Sequence, residues 1–538
     1  MLSIQKKYRD FVLKIKDKTQ EIKSIDHDRF NMLASAISTK ELLIPVVGGF
    51  SAGKSSLINQ FLEKDILATN LTPETAIATE LRFDNENYYE AIKSDGASLR
   101  FELDQSDQIK NRAKEFEYLK LYLNNDKLKQ IQPLILVDMP GFEAPIADHN
   151  KAIVNYLAKG THFIVLISIE DGNITKSILR EIYNISHFGK GFTFCLSKTN
   201  LRSQEDINSV KEMIQEQLQD EFDYNKELVL TGLNSGNDFL NLLQDINPES
   251  LFETIFKDEL KAYYFETESS INTQIATLKS SKEDIEKILQ NLKQGIEDVK
   301  NSKNKILNRT KDKFQSQNVD SIINSVVNTL INQKHILIPL MNQGASFNEE
   351  INSTVKNVVI SEINVKIQEL NSYIAKDFCK ELEKITLNLN ATEIGSNFTQ
   401  TLKNVVDFAN EIGLSDMLIT QPTLQEKTVG VVLKILEFIF NFIAQQRLQE
   451  MIENKFLNEI IPSIKTNLKA KLPSIFQSYI EHATENIALK FEEQIKQKEI
   501  EVQISIKEKN EKANEIQEVI GQLEAVKQDL ANLANQTF

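Results

Sequence analysis

Tryptophan is absent from this 538-residue chain, and the residues that punctuate structure are scarce, with 17 glycines and 10 prolines. Such a chain has few places to turn, which leaves little room for a turn-dense architecture and predicts a protein rich in helix. Cysteine is almost missing too. Cys195 in an apolar strand and Cys379 in a helical run cannot make a disulfide framework, so both are read as packing residues of a protein in a reducing compartment. Positive charge is in deficit: 62 Lys and Arg against 77 Asp and Glu leave a formal charge of −15. That balance excludes broad, non-specific binding of nucleic acid, which needs cations to displace counterions from phosphates; a local basic patch stays open. Long apolar runs are lacking as well. The N-terminal MLSIQKKYRDF has no uninterrupted apolar core, so no secretory leader is expected and the chain is placed in the cytoplasm. The greasiest stretch, Val429 to Ala444, contains Lys434 and Glu437 and falls short of the ~20 residues that span a bilayer. Two readings of it stay open: a buried core helix, or a hydrophobic tip that enters a membrane interface or a partner, helped by Lys465, Lys469 and Lys471 downstream.

A chain of this length exceeds a single core and should divide into domains. Ile4, Phe11, Ile15 and Ile22 recur at helical spacing over residues 2 to 24, and a second short helix is expected over 29 to 37. From Leu42 strands alternate with helices, which predicts a mostly parallel sheet with helices on both faces. Seven strands are expected, over 42–47, 79–83, 88–92, 133–137, 162–169, 192–197 and 227–230, with helices over 55–62, 149–157, 174–185, 204–219 and 237–243. After about Asn247 the strand signals stop. Ile271, Leu278, Ile285, Leu292, Val299 and Ile306 step by sevens, as do Val502, Ile516, Leu523 and Leu530 with Lys509 interrupting. The first run predicts one long coiled-coil helix, and the two runs could pack antiparallel as bundle core. The expected organisation is therefore N-terminal helices over 1–40 packing on the helical part, an α/β P-loop domain over 41–246, and a helical bundle over 247–538 with its tip candidate near 412–447.

Within the α/β part, PVVGGFSAGKSS carries the strongest chemical signal. An apolar strand runs into Gly48, four residues intervene, and Gly53-Lys54-Ser55 opens a helix: the pattern of a phosphate-binding P-loop. Glycines let backbone N–H groups converge on an anion, the helix N-terminus adds positive potential, Lys54 reaches the terminal phosphates, and the Ser55 hydroxyl can hold Mg²⁺. The loop residues Gly48, Gly49, Ser51, Ala52, Gly53, Lys54, Ser55 and Ser56 are the candidate phosphate contacts. LILVDMPG then ends a strand in Asp-x-x-Gly, where Asp138 can hold Mg²⁺ through water and the Gly141 N–H can meet a γ-phosphate. Between them, LTPETAIATE offers Thr72, Thr75 and Thr79 on a loop able to close over the metal. FTFCLSKTN ends in Ser197-Lys198-Thr199-Asn200, where a guanine reader normally carries Asp at the last position. Lys198 can pack over the base. Asn200 lacks the two-acceptor carboxylate that binds guanine N1–H and N2–H₂, so guanine and adenine both stay open.

The order of these motifs, and VVGGFSAGKSS above all, resembles the dynamin superfamily of large GTPases, in particular its bacterial dynamin-like branch, the LeoA type included. The resemblance covers about residues 42 to 200. It implies a GTPase with GTP as substrate and Mg²⁺ as cofactor; Ser51, Lys54 and Thr75 in catalysis; and Ser55, Thr75 and Asp138 about the metal. Phe50 departs from the Gln of eukaryotic members, and no pleckstrin-homology-like β domain or Pro-rich tail is seen. The implied function is GTP hydrolysis, with dimerisation of the P-loop domain coupled to movement of a helical stalk. Self-association, a related dynamin-like partner chain, an anionic membrane and a peripheral place at the inner membrane follow as expectations, with no nucleic-acid partner. The competing reading is a nucleotide-dependent interaction switch with slow hydrolysis and no membrane activity. A chromosome-maintenance ATPase is set aside because no Leu-Ser-Gly-Gly signature follows Asn486.

Overall fold

The computed structural model describes residues 1–49, 51–67, 77–141, 156, 159–175, 178, 179, 182, 191–341, 345–389, 406, 456–512 and 515–538. Phe50, Thr72, Thr75, the expected helix over 149–157 apart from Tyr156, much of that over 174–185, and the apolar segment 429–444 with its tip candidate lie outside the described residues. Two compact units emerge, residues 40–252 and residues 3–39 together with 253–538.

The first unit is built on a nine-stranded sheet. Its central strands β1 (Leu42–Gly48), β6 (Leu134–Asp138), β7 (His162–Ser168), β8 (Gly191–Ser197) and β9 (Val229–Leu230) are parallel. β2 (Thr79–Phe83) pairs antiparallel with β6 and parallel with β5 (Tyr118–Leu123), while β3 (Tyr88–Ile92) lies antiparallel to β5 and to the edge strand β4 (Ser98–Glu102). The order across the sheet is β4-β3-β5-β2-β6-β1-β7-β8-β9. Every residue of β1 and β7 is buried, as expected of parallel strands covered on both faces. Leu43 and Val47 join Val165 and Ile167 beneath Ile207, Ile214 and Leu218 of the helix Gln204–Phe222, and the alternate residues Ile44 and Val46 are buried on the opposite face. The expected strands are present, and two more join them. β4 exposes Ser98, Arg100 and Glu102, so its apolar signal is weak; β5 alternates cleanly, with Leu119, Leu121 and Leu123 buried, and the seven expected strands omit it.

Among the described residues all elements of the second unit are helices. They are α1 (Ser3–Thr19), α2 (His27–Thr39), α3 (Pro248–Lys279), α4 (Lys282–Asn332), α5 (Lys334–Leu340), α6 (Ala345–Leu389), α7 (Ile461–Glu511) and α8 (Ile516–Thr537), with a short π-helical turn at Phe456–Ile460. The seven-residue seam from 271 to 306 is not one helix. α3 ends at Lys279, and Ser281 caps α4 by accepting from the Asp284 N–H at 3.1 Å. Leu278 and Ile285 keep their seven-residue step across this break, so periodicity alone could not reveal it. Polar contacts fix the directions: Ser270 bonds Glu501 and Lys509 bonds the Ser280 carbonyl, so α3 runs parallel to the end of α7, whereas Lys303–Glu485 and Lys311–Glu481 show α4 running antiparallel to it. The second seam breaks likewise between α7 and α8, and Lys279–Glu524 with Glu268–Lys527 sets α8 antiparallel to α3. Val299 and Ile306 of α4, Ile374 and Phe378 of α6, and Ile480 and Phe491 of α7 share one apolar core. Among the described residues no helix is long and apolar enough to cross a membrane.

Candidate nucleotide site

The switch point of the first unit's sheet lies where β1 is flanked by β6 on one side and β7 on the other, which is where open α/β sheets bind ligands at the carboxyl ends of their strands. The P-loop leaves β1 there. Gly48 sits at φ +155°, and a Cβ on it would come within 2.5 Å of the Leu166 carbonyl oxygen on β7, so this position requires glycine. The Ala52 N–H then donates to the Gly49 carbonyl at 3.1 Å, closing the turn, and Gly53, in the left-handed region, starts the helix Lys54–Leu62. Lys54 is buried. Its ammonium donates to the Gly48 and Gly49 carbonyls at 3.1 and 2.8 Å, holding the charge beside the loop that should receive phosphates. Ser51 and Ser56 are exposed, Gly53 and Ser55 half-buried, and Ala52 buried.

Two parallel strands bring the metal candidates together. β6 registers Asp138 against Val46 of β1, and the Ser55 hydroxyl donates to Asp138 Oδ2 at 2.7 Å. Asp138 Oδ1 is sealed from solvent and has no hydrogen-bond partner among the described residues. Burial pushes this carboxyl up to about 6, against the opposing pull of the Ser55 hydroxyl and the Lys54 charge. A shielded carboxylate oxygen without a donor, next to a hydroxyl at a phosphate loop, is what a hard divalent cation would satisfy, so Ser55 and Asp138 fit Mg²⁺. Among the described residues no group of three or more His, Cys, Asp or Glu gathers to hold a metal; Mg²⁺ commonly takes one or two protein oxygens, its waters and the substrate phosphates. Gly141 is buried just beyond the strand, and Thr75 lies outside the described residues.

The base-reading loop follows β8. Ser197 is buried, and its hydroxyl donates to the Ala52 carbonyl at 2.7 Å and the Ile167 carbonyl at 3.2 Å, so its side chain is committed to holding the P-loop against the sheet. Lys198 adopts a left-handed backbone, φ 59°, and its ammonium pairs with Glu170 on the turn after β7, which holds that carboxyl below its usual range. Asn200 is exposed. A second loop adjoins it. The Thr199 N–H donates to the Thr231 carbonyl at 3.1 Å, and a Cβ on Gly232 would lie 2.8 Å from Thr199 Oγ1, so glycine is what allows residues 231–235 this close. The Ser235 N–H in turn donates to the Gln60 side chain on the P-loop helix at 2.9 Å. Sequence reasoning missed Glu170 and this second loop; TGLNSG, a Gly, Asn and Ser cluster after a strand, was the available signal.

Residues 44–196 match the model of the Dynamin family. The chain is 23% identical over 349 residues to Dynamin-like protein 2 of Campylobacter jejuni subsp. jejuni serotype O:23/36 (strain 81-176), an alignment covering 63% of this chain and 50% of that protein. The chain thus spans half the length of this curated relative. Among solved structures, a bacterial dynamin described as an oligomerised pair for long-range sensing and tethering of membranes aligns at 14% identity and a TM-score of 0.35, over 94% of this chain and 91% of that one. LeoA, a bacterial dynamin GTPase from ETEC, aligns at 14% identity and 0.32, over 98% and 97%. The segment that matches the Dynamin family, residues 44–196, carries the P-loop and Asp138, and over that segment the chain is similar to the dynamin superfamily.

Proposed function

We propose that this protein binds and hydrolyses GTP with Mg²⁺, that its P-loop domain self-associates, and that nucleotide state drives movement of the helical unit. The observation that carries the reading is the meeting of Lys54, Ser55 and Asp138 at the end of β1, with the Asp138 Oδ1 left for a cation. When bound, Mg²⁺ would neutralise charge on the β- and γ-phosphates. The residues of the chain do the rest. Backbone N–H groups of Gly49 to Ser55 cradle the phosphates, Lys54 exchanges its loop carbonyls for phosphate oxygens, Asp138 and Ser55 hold the metal, and Lys198 flanks the base. Ser51 and Thr75 are proposed to orient the attacking water, with Gly141 donating to the γ-phosphate. A membrane-associated role, peripheral on an anionic bilayer and through the segment 429–444, is proposed from the apolar and basic character of that stretch.

Lys54→Ala tests the central claim. The variant should keep its helix content by circular dichroism and lose tight binding of labelled GTP together with phosphate release. Binding of GTP and ATP at the wild-type level would end the P-loop assignment. Slow phosphate release by the wild-type chain, with no pelleting on anionic vesicles, would favour the interaction-switch reading instead.

A further inference from the structure

Along the seam between α4 and α6 of the helical unit, opposite charges meet rung by rung. Lys305 and Arg309 of α4 each lie 3.2 Å from Glu381 of α6, and Arg309 lies 3.7 Å from Asp377. One turn further along α4 the pattern fails. Lys313 has no carboxylate partner among the described residues, and its ammonium lies over the Tyr373 ring at 3.9 Å from the centroid. α6 adds Lys376 and Lys366 to the same place, and among the described residues only Lys366 has an acid, Glu369, at 3.0 Å. A cavity of about 510 Å³ opens between the helices here, with Lys313, Phe314, Lys366, Glu369, Tyr373 and Lys376 in its wall.

Three lysines and one glutamate in the cavity wall give a local excess of positive charge on a chain whose formal charge is −15. Gathering like charges is unfavourable unless an anion joins them, and the neighbouring rungs show that this seam otherwise matches each cation with an acid. The volume falls in the range of small-molecule sites, roughly 300–1,000 Å³, which exceeds the need of a bare ion. Lysines suit phosphate as point charges, and the two aromatic rings offer an apolar wall for the carbon skeleton that bears it. We propose that this cavity binds a phosphomonoester of headgroup size, its phosphate among Lys313, Lys366 and Lys376 and its organic part against Phe314 and Tyr373. The site is independent of the P-loop and of the GTPase reading. Its ligand chemistry is shared by a phospholipid headgroup and a soluble phosphate ester.

Lysine acetylation of the full chain, read residue by residue by mass spectrometry, tests this with two probes: glycerol 3-phosphate in solution, and phosphatidylcholine vesicles containing phosphatidic acid. Lys313 and Lys376 should be protected saturably, and Lys54, read in the same spectra, reports separately on any phosphate at the P-loop. Protection by glycerol 3-phosphate identifies a soluble ester as the ligand class; protection by vesicles alone identifies a lipid headgroup. Lys313→Gln with Lys366→Gln should raise the half-protecting concentration at Lys376 by about tenfold or more, the loss expected for one or more charge-assisted contacts. Protection by neither probe overturns the proposal, as does protection of Lys376 unchanged by the double substitution. The wild-type measurement alone decides if the variant fails to fold.

Discussion

Ser197→Ala separates scaffolding of the P-loop from contact with nucleotide. Ser197 is 4% exposed, and its hydroxyl donates to the Ala52 carbonyl at 2.7 Å and the Ile167 carbonyl at 3.2 Å. Alanine removes the donor and leaves a buried loop carbonyl unpaired, because Ala52 is itself buried at 2% exposure. Leaving such an acceptor unsatisfied costs about 1–3 kcal/mol. For a unit of some 200 residues this corresponds to a fall in Tm of roughly 2–4 °C per kcal/mol. Thermal unfolding of the full chain with and without Mg·GTP provides the assay. The nucleotide-free Tm should drop, while the further rise on adding saturating nucleotide, which follows RT ln(1 + [L]/Kd), should survive with a change in Kd below about tenfold. An unchanged nucleotide-free stability, within about 0.5 kcal/mol, together with a Kd weakened by tenfold or more would show that the hydroxyl meets the nucleotide. The Ser197 hydroxyl would then not be a prop of the P-loop.

Asn200→Asp should sharpen the preference for GTP over ATP in a competition titration, because the carboxylate accepts both guanine hydrogen bonds; strong discrimination by the wild-type chain would mean that another group reads the base. His162, buried at the start of β7 and 2.9 Å from Thr193 Oγ1, has its imidazole pushed down to about 4, first by burial and then by the Lys226 charge. Its folded value lies below the unfolded one, so the stability it contributes, at most about 3 kcal/mol, is present above pH ~6.5 and is lost as pH falls toward 4. Denaturant titrations of His162→Gln should show a shallower loss over that window, and parallel curves would refute the assignment. Lys498 and Glu501 form a buried pair at 2.8 Å in the helical unit, joined by Ser269, Ser270 and Thr273. Lys498→Ala should destabilise that unit by about 3–5 kcal/mol in chemical unfolding, whereas Lys498→Met with Glu501→Leu should cost little; equal losses for the two would show that the charge pair is not what matters.

The P-loop was legible from sequence because its chemistry is local: the glycines, Lys54 and Ser55 follow one another, and the strand before and helix after them announce themselves by composition. Asp138 was legible for a similar reason, as an acid at the end of an apolar strand. The edge strand β4 was not, because an exposed edge carries polar side chains that resemble a loop, and the paired seams concealed their breaks because apolar residues keep a seven-residue step across Ser280-Ser281. Only tertiary structure decided what depends on separations of many residues. The Ser55 hydroxyl meets a carboxylate 83 positions away, and Ser197, which sequence position assigned to the base, is spent on a P-loop carbonyl 145 positions away. Gly48 must be glycine because a carbonyl from β7 passes against it, and the lysines of the helical cavity converge because α4 and α6 run antiparallel. Periodicity records which face of an element is buried, but the partner on that face is set by topology, and it is the partner that turns a hydroxyl into a prop or a lysine into part of a site.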